Sequence, residues 1–201
     1  MLGGDHMGTR ETISSTALTL FSRKGYADAS IRDICKLVGI KESSLYFHFK
    51  NKQAILDELT EEFVGGYSAA LEDFAGTFRR MSYLTPDLFR SIIRRFVNAC
   101  YMDAALNQYL CILIHEQGQN ESLRKVFRKW VYDEPIELLK EMFITLIEMG
   151  FIRRTGVSFL AESFYYPLVS LFLEHMTLPD PQSFESAYIE YVDKFLKEFR
   201  A

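Results

Sequence analysis

The chain has 201 residues, 48 % apolar and 25 % charged, with eleven glycines and five prolines. That balance excludes a disordered, collagen-like or disulfide-scaffold chain, and the length allows one large domain or two small ones with a sizeable core. The net charge of −4 is uneven: residues 1–52 hold eight Lys/Arg against five Asp/Glu (+3), and residues 53–201 hold fifteen against twenty-two (−7). Short apolar runs such as Ile112–Ile114 exclude a bilayer-spanning segment. Residues 1–8 lack the apolar core of a secretory signal, and Met7 is an alternative start. Three cysteines, Cys35, Cys100 and Cys111, have no CxxC spacing and suit a reducing cytoplasm.

In chain order, Ile13, Ala17, Leu20 and Phe21 recur at helical spacing, and Gly25 ends the run. Ser30 is the expected N-cap of a short second helix with Ile31, Ile34, Cys35 and Val38 on one face, broken at Gly39. A third short helix carries Leu45, Tyr46 and Phe49. Asn51 then caps a fourth with Ile55, Leu56, Leu59 and Phe63. Thr85-Pro86 opens a helix whose predicted face is Leu88, Ile92 and Phe96. Leu106, Leu110 and Leu113 mark another, stopped by Gly118. Asn120 caps a helix in which Leu123, Val126, Phe127, Trp130 and Val131 fit the i, i+3, i+4, i+7, i+8 pattern. Asp133-Glu134-Pro135 restarts the chain into a helix reaching Gly150. Two more span about Ser158–Met176 and Ser183–Arg200, separated by Pro179 and Pro181. The expected fold class is all-α.

The segment Ser30–Lys52 carries the functional signal. Two short helices flank a turn at Val38-Gly39-Ile40, the layout of a helix-turn-helix whose second helix enters a major groove. Ile34, Val38, Leu45 and Phe49 would hold these helices to the first. Lys41, Glu42, Ser43, Ser44 and His48 remain polar and short enough to approach bases or phosphates.

Residues Thr9–Leu59 resemble the DNA-binding domain of the TetR (tetracycline-repressor) family of bacterial transcription regulators. The resemblance lies in Leu20-Phe21 with Gly25-Tyr26, Ser30-Ile31-Arg32-Asp33-Ile34, Gly39-Ile40, Leu45-Tyr46-Phe47-His48-Phe49, and Lys52. It implies an N-terminal three-helix helix-turn-helix domain over residues 8–67 and a helical ligand-binding and dimerisation domain over 68–201. It also implies phosphate contacts from Ser30, Tyr46 and Lys52, a backbone or base-edge position for His48, and base reading by residues 41–44. Two residues depart from the pattern. Lys41 stands where the family has Ser or Thr, so a side-chain cap worth about 1 kcal/mol is lost. Glu42 is an anion directed at DNA, which either accepts from a cytosine amino group or pairs with Lys41. Tyr46 has a competing role as core, packed near Phe49.

The expected function is a sequence-specific, DNA-binding transcriptional regulator, a repressor released from its operator by a small apolar or aromatic ligand. An activator or ligand-independent regulator is the alternative, and a helical enzyme or scaffold the alternative from another class. The best catalytic candidates, Cys111 and His115 with Glu116 beside them, lie in an apolar run that favours an inert thiol, and no metal-ligand spacing occurs. The expectation is therefore no enzyme, no metal and no cofactor. The expected partners are double-stranded operator DNA, the ligand and a second copy of the chain, with no membrane. Phe96, Tyr101, Tyr109, Trp130 and Phe143 are candidate ligand-pocket aromatics, with His115 and Gln117 as polar anchors. On the last helix, Phe184, Tyr188, Ile189, Tyr191, Val192, Phe195, Leu196 and Phe199 cover an arc of about 160°, more than the roughly 100° one core needs, which points to a homodimer. Gly65-Gly66 in the fourth helix is either a packing contact or a soft joint.

Overall fold

The structure, a computed structural model, describes residues 8–175 and 181–201. Residues 1–7, Met176 and Pro179 lie outside them. Ten α-helices occur among the described residues: α1 (Thr9–Lys24), α2 (Ile31–Val38), α3 (Glu42–His48), α4 (Lys52–Arg79), α5 (Pro86–Val97), α6 (Ala104–Glu116), α7 (Glu121–Phe127), α8 (Glu134–Glu148), α9 (Val157–His175) and α10 (Pro181–Phe199). The fold is all-α, with one isolated bridge between Ile152 and Arg200.

The local reasons follow the expected caps. The Ser30 hydroxyl accepts from the Asp33 N–H at 3.1 Å while the Asp33 carboxylate accepts from the Ser30 N–H at 3.0 Å, a reciprocal box that fixes the start of α2. Asn51, Thr85 and Asn120 accept from the N–H groups of Ala54, Leu88 and Leu123 at 2.9, 3.2 and 3.1 Å. Gly39 ends α2 at φ +77°, a left-handed conformation that a side chain resists.

Two π-helical turns interrupt the expected pattern, Asn98–Met102 after α5 and Arg128–Asp133 between α7 and α8. The single helix expected from Asn120 through Val131 is therefore broken. Each π turn adds a residue to the helical repeat, so Val131 is buried while Trp130 is only half-buried. The buried face of α5 is Phe89, Ile92, Ile93, Phe96 and Val97, with Leu88 half-buried at its edge.

The residues group into two compact units. The first takes residues up to Gly66 and adds 105–127, carrying α7 and nearly all of α6. The second takes 67–104 and 128–201. These groups divide the expected second domain, 68–201, with Tyr109 of α6 packed on Phe63 and bordering a hollow with Leu18 and Leu59. In the first unit Ile13, Ala17, Phe21, Ile34, Leu45 and Leu59 form the core, and Tyr109 of α6 stacks on Phe63 of α4 at 4.7 Å. Thr60 and Tyr109 share a hydroxyl–hydroxyl bond there. The core of the second unit is dominated by aromatic rings: Phe164 lies 5.1–5.9 Å from Phe89, Phe143, Tyr188 and Phe195.

Candidate nucleic-acid interface

Helix α3 is braced from one side and bare on the other. Leu45 is fully buried, and Phe49, just past the helix, is 2 % exposed. Glu42, Ser43, Tyr46 and Phe47 lie at i, i+1, i+4 and i+5 and are all exposed, so they share one outward face. Phe47 is 86 % exposed and Tyr46 50 %. A phenylalanine ring this exposed buries little apolar surface within its own chain. Sequence reasoning passed over Phe47, although its bracketing by polar residues at this spacing was a readable signal. Half-exposure likewise removes the core role weighed for Tyr46.

The flanking residues fix this helix. Arg10 donates from Nη1 to the carbonyl of His48 at 2.7 Å and from Nε to Glu58 at 2.8 Å, and its guanidinium lies 4.3 Å over the Phe49 ring. Ser14 donates to the other Glu58 oxygen at 2.7 Å. The last turn of α3 is thereby tied to α1 and α4. His48 is half-buried, with its ring 5.3 Å from that of Phe47 at a steep angle.

The remaining site residues fall as follows. Lys41 is exposed at the N-cap of α3 and makes no side-chain cap bond, as its chemistry requires. Ser43 is exposed and Ser44 half-buried. Glu42 does not pair with Lys41; its partner is Arg32 of α2, at 3.2 Å. The Ser30 hydroxyl spends its proton on Asp33 at 2.8 Å, so it faces other groups as an acceptor. Lys24 also donates to Asp33, at 2.9 Å. The Lys24 ammonium and the Ser30 hydroxyl hold the Asp33 carboxyl down to about 2.

Lys52 occupies a position unlike the one expected. Its ammonium donates to the carbonyls of Tyr26, Ala27 and Ala29 at 2.7, 3.3 and 2.8 Å and sits 4.3 Å over the Tyr26 ring. Burial pushes its pKa down, against an opposing pull from Glu116 and Asp28. Glu116 of α6 accepts from the Tyr26 N–H at 2.9 Å. The α1–α2 turn is therefore clamped at its carbonyls by Lys52 and at an N–H by Glu116. Gly25 passes beneath at φ +88°, where an added Cβ would lie 3.4 Å from that carboxylate.

The expected ligand residues are divided between the two units. Phe96 lines a narrow cavity of about 10 Å³ in the second unit with Phe74, Ile93, Phe164, Tyr165 and Tyr188. Tyr101 is buried, with its hydroxyl 3.2 Å from that of Tyr165. Phe143 is buried in the aromatic core, and Trp130 lines an outer groove. Tyr109, His115 and Gln117 belong to the first unit: Tyr109 borders a separate hollow, His115 is exposed, and Gln117 donates to the Ile114 carbonyl at 3.4 Å. The Cys111 thiol is pushed up by burial, the reverse of an activated nucleophile.

A braced, left-handed-glycine turn followed by a helix that exposes only its outer face defines a helix-turn-helix DNA-binding regulator. The model of the bacterial regulatory proteins of the tetR family matches residues 13–59. The biofilm operon icaADBC negative transcriptional regulator IcaR of Staphylococcus epidermidis is 31 % identical over 145 residues, covering 69 % of this chain and 77 % of that one. The chain belongs to the TetR family and is a DNA-binding transcriptional regulator. Among solved structures, a complex of SmeT with triclosan superposes with a TM-score of 0.74 at 16 % identity, covering 97 % of this chain and 93 % of that one. SmeT is the repressor of the Stenotrophomonas maltophilia efflux pump SmeDEF. PfmR of Thermus thermophilus superposes at 0.66 with 23 % identity, covering 92 % and 97 %. Among the described residues no helix is long and apolar enough to cross a membrane.

Proposed function

We propose that this protein represses transcription by seating α3 of each subunit of a homodimer in successive major grooves of an operator, and leaves it when a small apolar ligand enters the second unit. The observation that carries this reading is the outer face of α3. Glu42, Ser43, Tyr46 and Phe47 are exposed while Leu45 alone of that helix is buried, so the helix is spent on recognition. The hydroxyl of Tyr46 suits a phosphate, and the Phe47 ring suits a thymine methyl. Lys41 and His48 complete the polar edge, with Ser44 closer to the core.

A dimer is supported by exposed apolar side chains on α9, Phe159 at 57 %, Tyr166 at 47 % and Leu173 at 42 %. On α10, Ile189, Tyr191 and Phe199 are only half-buried beside the fully covered Tyr188, Val192 and Phe195. Two-fold pairing would set the half-sites about 34–36 Å apart.

The test is selection of bound sequences from random duplexes, then gel shifts with the chosen site. A near-palindromic consensus is expected. Phe47→Ala should relax the preference at one position per half-site, whereas Tyr46→Phe should weaken all duplexes alike. A monomer by light scattering at micromolar concentration, or no consensus, refutes the reading.

A further inference from the structure

Helix α3 cannot hold its own direction. It has seven residues and one buried side chain, Leu45, well short of the roughly 12–15 residues at which a helix is marginally stable alone. Leu45 lies midway between Glu42 and His48, so the helix can tilt about it as a beam about its midpoint. A displacement of about 1 Å at the His48 end then appears, reversed, at Glu42 and Ser43, enough to spoil a hydrogen bond to a base edge. The direction is therefore decided at the two ends. At the start, Lys41 makes no side-chain cap bond, and the Arg32–Glu42 pair at 3.2 Å is exposed to water and worth little.

At the other end stands Arg10. The last carbonyls of a helix have no partner further along it, and that of His48 accepts from Arg10 Nη1 at 2.7 Å. The rest of the guanidinium is held in place. Nε and Nη2 both donate to Glu58 Oε2, and the central carbon lies 4.3 Å over the Phe49 ring. Ser14, itself buried, donates to Glu58 Oε1 at 2.7 Å, so both carboxylate oxygens are engaged. A planar fork can serve a carboxylate, a carbonyl and a ring face at once, which an ammonium cannot. Arg10 also sits in the first turn of α1, where a cation opposes the helix dipole, so its placement works against its own helix. Arg10, Ser14 and Glu58 all belong to the first unit and lie outside the segment Ser30–Lys52.

We propose that Arg10 is a positioning residue for base reading: it makes no base contact itself and sets the direction of α3 through the His48 carbonyl, with Glu58 and Ser14 holding the guanidinium in place. This rests on α3 as the recognition helix and adds a determinant of specificity from outside the helix-turn-helix. The competing role for an arginine whose side chain is 51 % exposed is a phosphate contact, which carries no sequence information.

The full chain is titrated by fluorescence anisotropy with its selected duplex and with a scrambled duplex of equal length, at about 50 to 200 mM salt. Arg10→Ala should lose about tenfold or more on the selected duplex, the worth of one displaced base contact, and hardly change on the scrambled one. The log–log salt slope should stay as in the parent. Arg10→Lys keeps the charge and should fail to restore the preference, because an ammonium has no fork. Glu58→Ala should lower the preference by the same factor, and the Arg10→Ala/Glu58→Ala double variant no further. Equal losses on both duplexes with a slope shallower by about 0.9, restored by Arg10→Lys, overturn the proposal and make Arg10 a phosphate contact. A lower urea midpoint with the preference intact overturns it in favour of a brace for the fold alone. Should Arg10→Ala fail to fold, Arg10→Lys and Ser14→Ala decide, and a parent-like preference in both refutes positioning. Selection that yields no consensus with the parent refutes base reading by α3 itself, whereas a discriminating parent matched by its variants refutes only the role of Arg10.

Discussion

Replacing Lys52 separates two jobs that one lysine at this position can do. A lysine facing a phosphate contributes about 0.9 to the log–log salt slope of DNA binding, so its loss makes the slope shallower by that amount. The geometry assigns Lys52 to the α1–α2 turn instead. Two short bonds at 2.7 and 2.8 Å, a longer one at 3.3 Å and a ring face at 4.3 Å occupy its ammonium. Hydrogen bonds to a charged group are worth about 1.5–3 kcal/mol each when buried. Here the group is only half-buried, water can take over the carbonyls, and the desolvation that lowers its pKa offsets part of the gain. Lys52→Ala should therefore cost about 1–2 kcal/mol of the first unit's stability. It should also weaken DNA binding by loosening α2, while the salt slope of the folded protein stays unchanged. Urea unfolding followed by far-UV circular dichroism reads the first quantity, and fluorescence anisotropy on labelled duplex from 50 to 200 mM salt reads the second. A fully stable variant with a slope shallower by about one would refute the clamp and restore the phosphate contact.

Three further expectations follow from particular atoms. A Cβ at Gly65 meets nothing within 4 Å, whereas one at Gly66 lies 3.2 Å from Leu106 Cδ2. Gly65→Ala should gain up to about 1 kcal/mol in urea unfolding, with Gly66→Ala gaining less or losing; equal gains would show that Leu106 yields freely. The Asp33 carboxyl, held at about 2 against an ordinary 3.8, stabilises the start of α2 above pH 4, and that contribution is lost as the pH falls through 2. Carboxyl-carbon NMR titration checks this, and a midpoint near 4 would refute the Lys24–Asp33–Ser30 arrangement. Arg32→Ala should free Glu42 and shift base preference beside its position in selected duplexes; an unchanged consensus would show that the ion pair does not hold Glu42 in place.

Much of this could be read from single residues, because their partners are near in sequence. Ser30 with Asp33, Thr85 with Leu88 and Asn120 with Leu123 are three-residue relations, and Gly39 needs only its own φ. Leu45 and Phe49 declared the inner face of α3 by spacing alone. What stayed hidden depends on partners far along the chain. For Glu42 the sequence offers a cytosine amino group or the neighbouring Lys41 as partner, yet Arg32 ten residues earlier reaches it from α2. Lys52 looks like a free cation until the turn at residues 26–29 folds onto it. The π turns left no mark in a helical pattern that Trp130 and Val131 fit well, because one extra residue shifts the face without altering the composition. That shift leaves Trp130 half-buried at a groove wall while its neighbour Val131 is buried.

The shortness of α3 bears on how such a regulator changes its target over generations. Of its seven residues only Leu45 is buried, so most substitutions there leave the folded state nearly as stable as before. Duplicated copies of the gene can therefore drift toward new operators without first acquiring stabilising changes elsewhere. The exception is Glu42, whose charge is matched by Arg32 on the neighbouring helix. A lineage that replaces one of this pair exposes the charge of the other, so these two positions should change together among descendants while Ser43, Tyr46 and Phe47 vary independently of them.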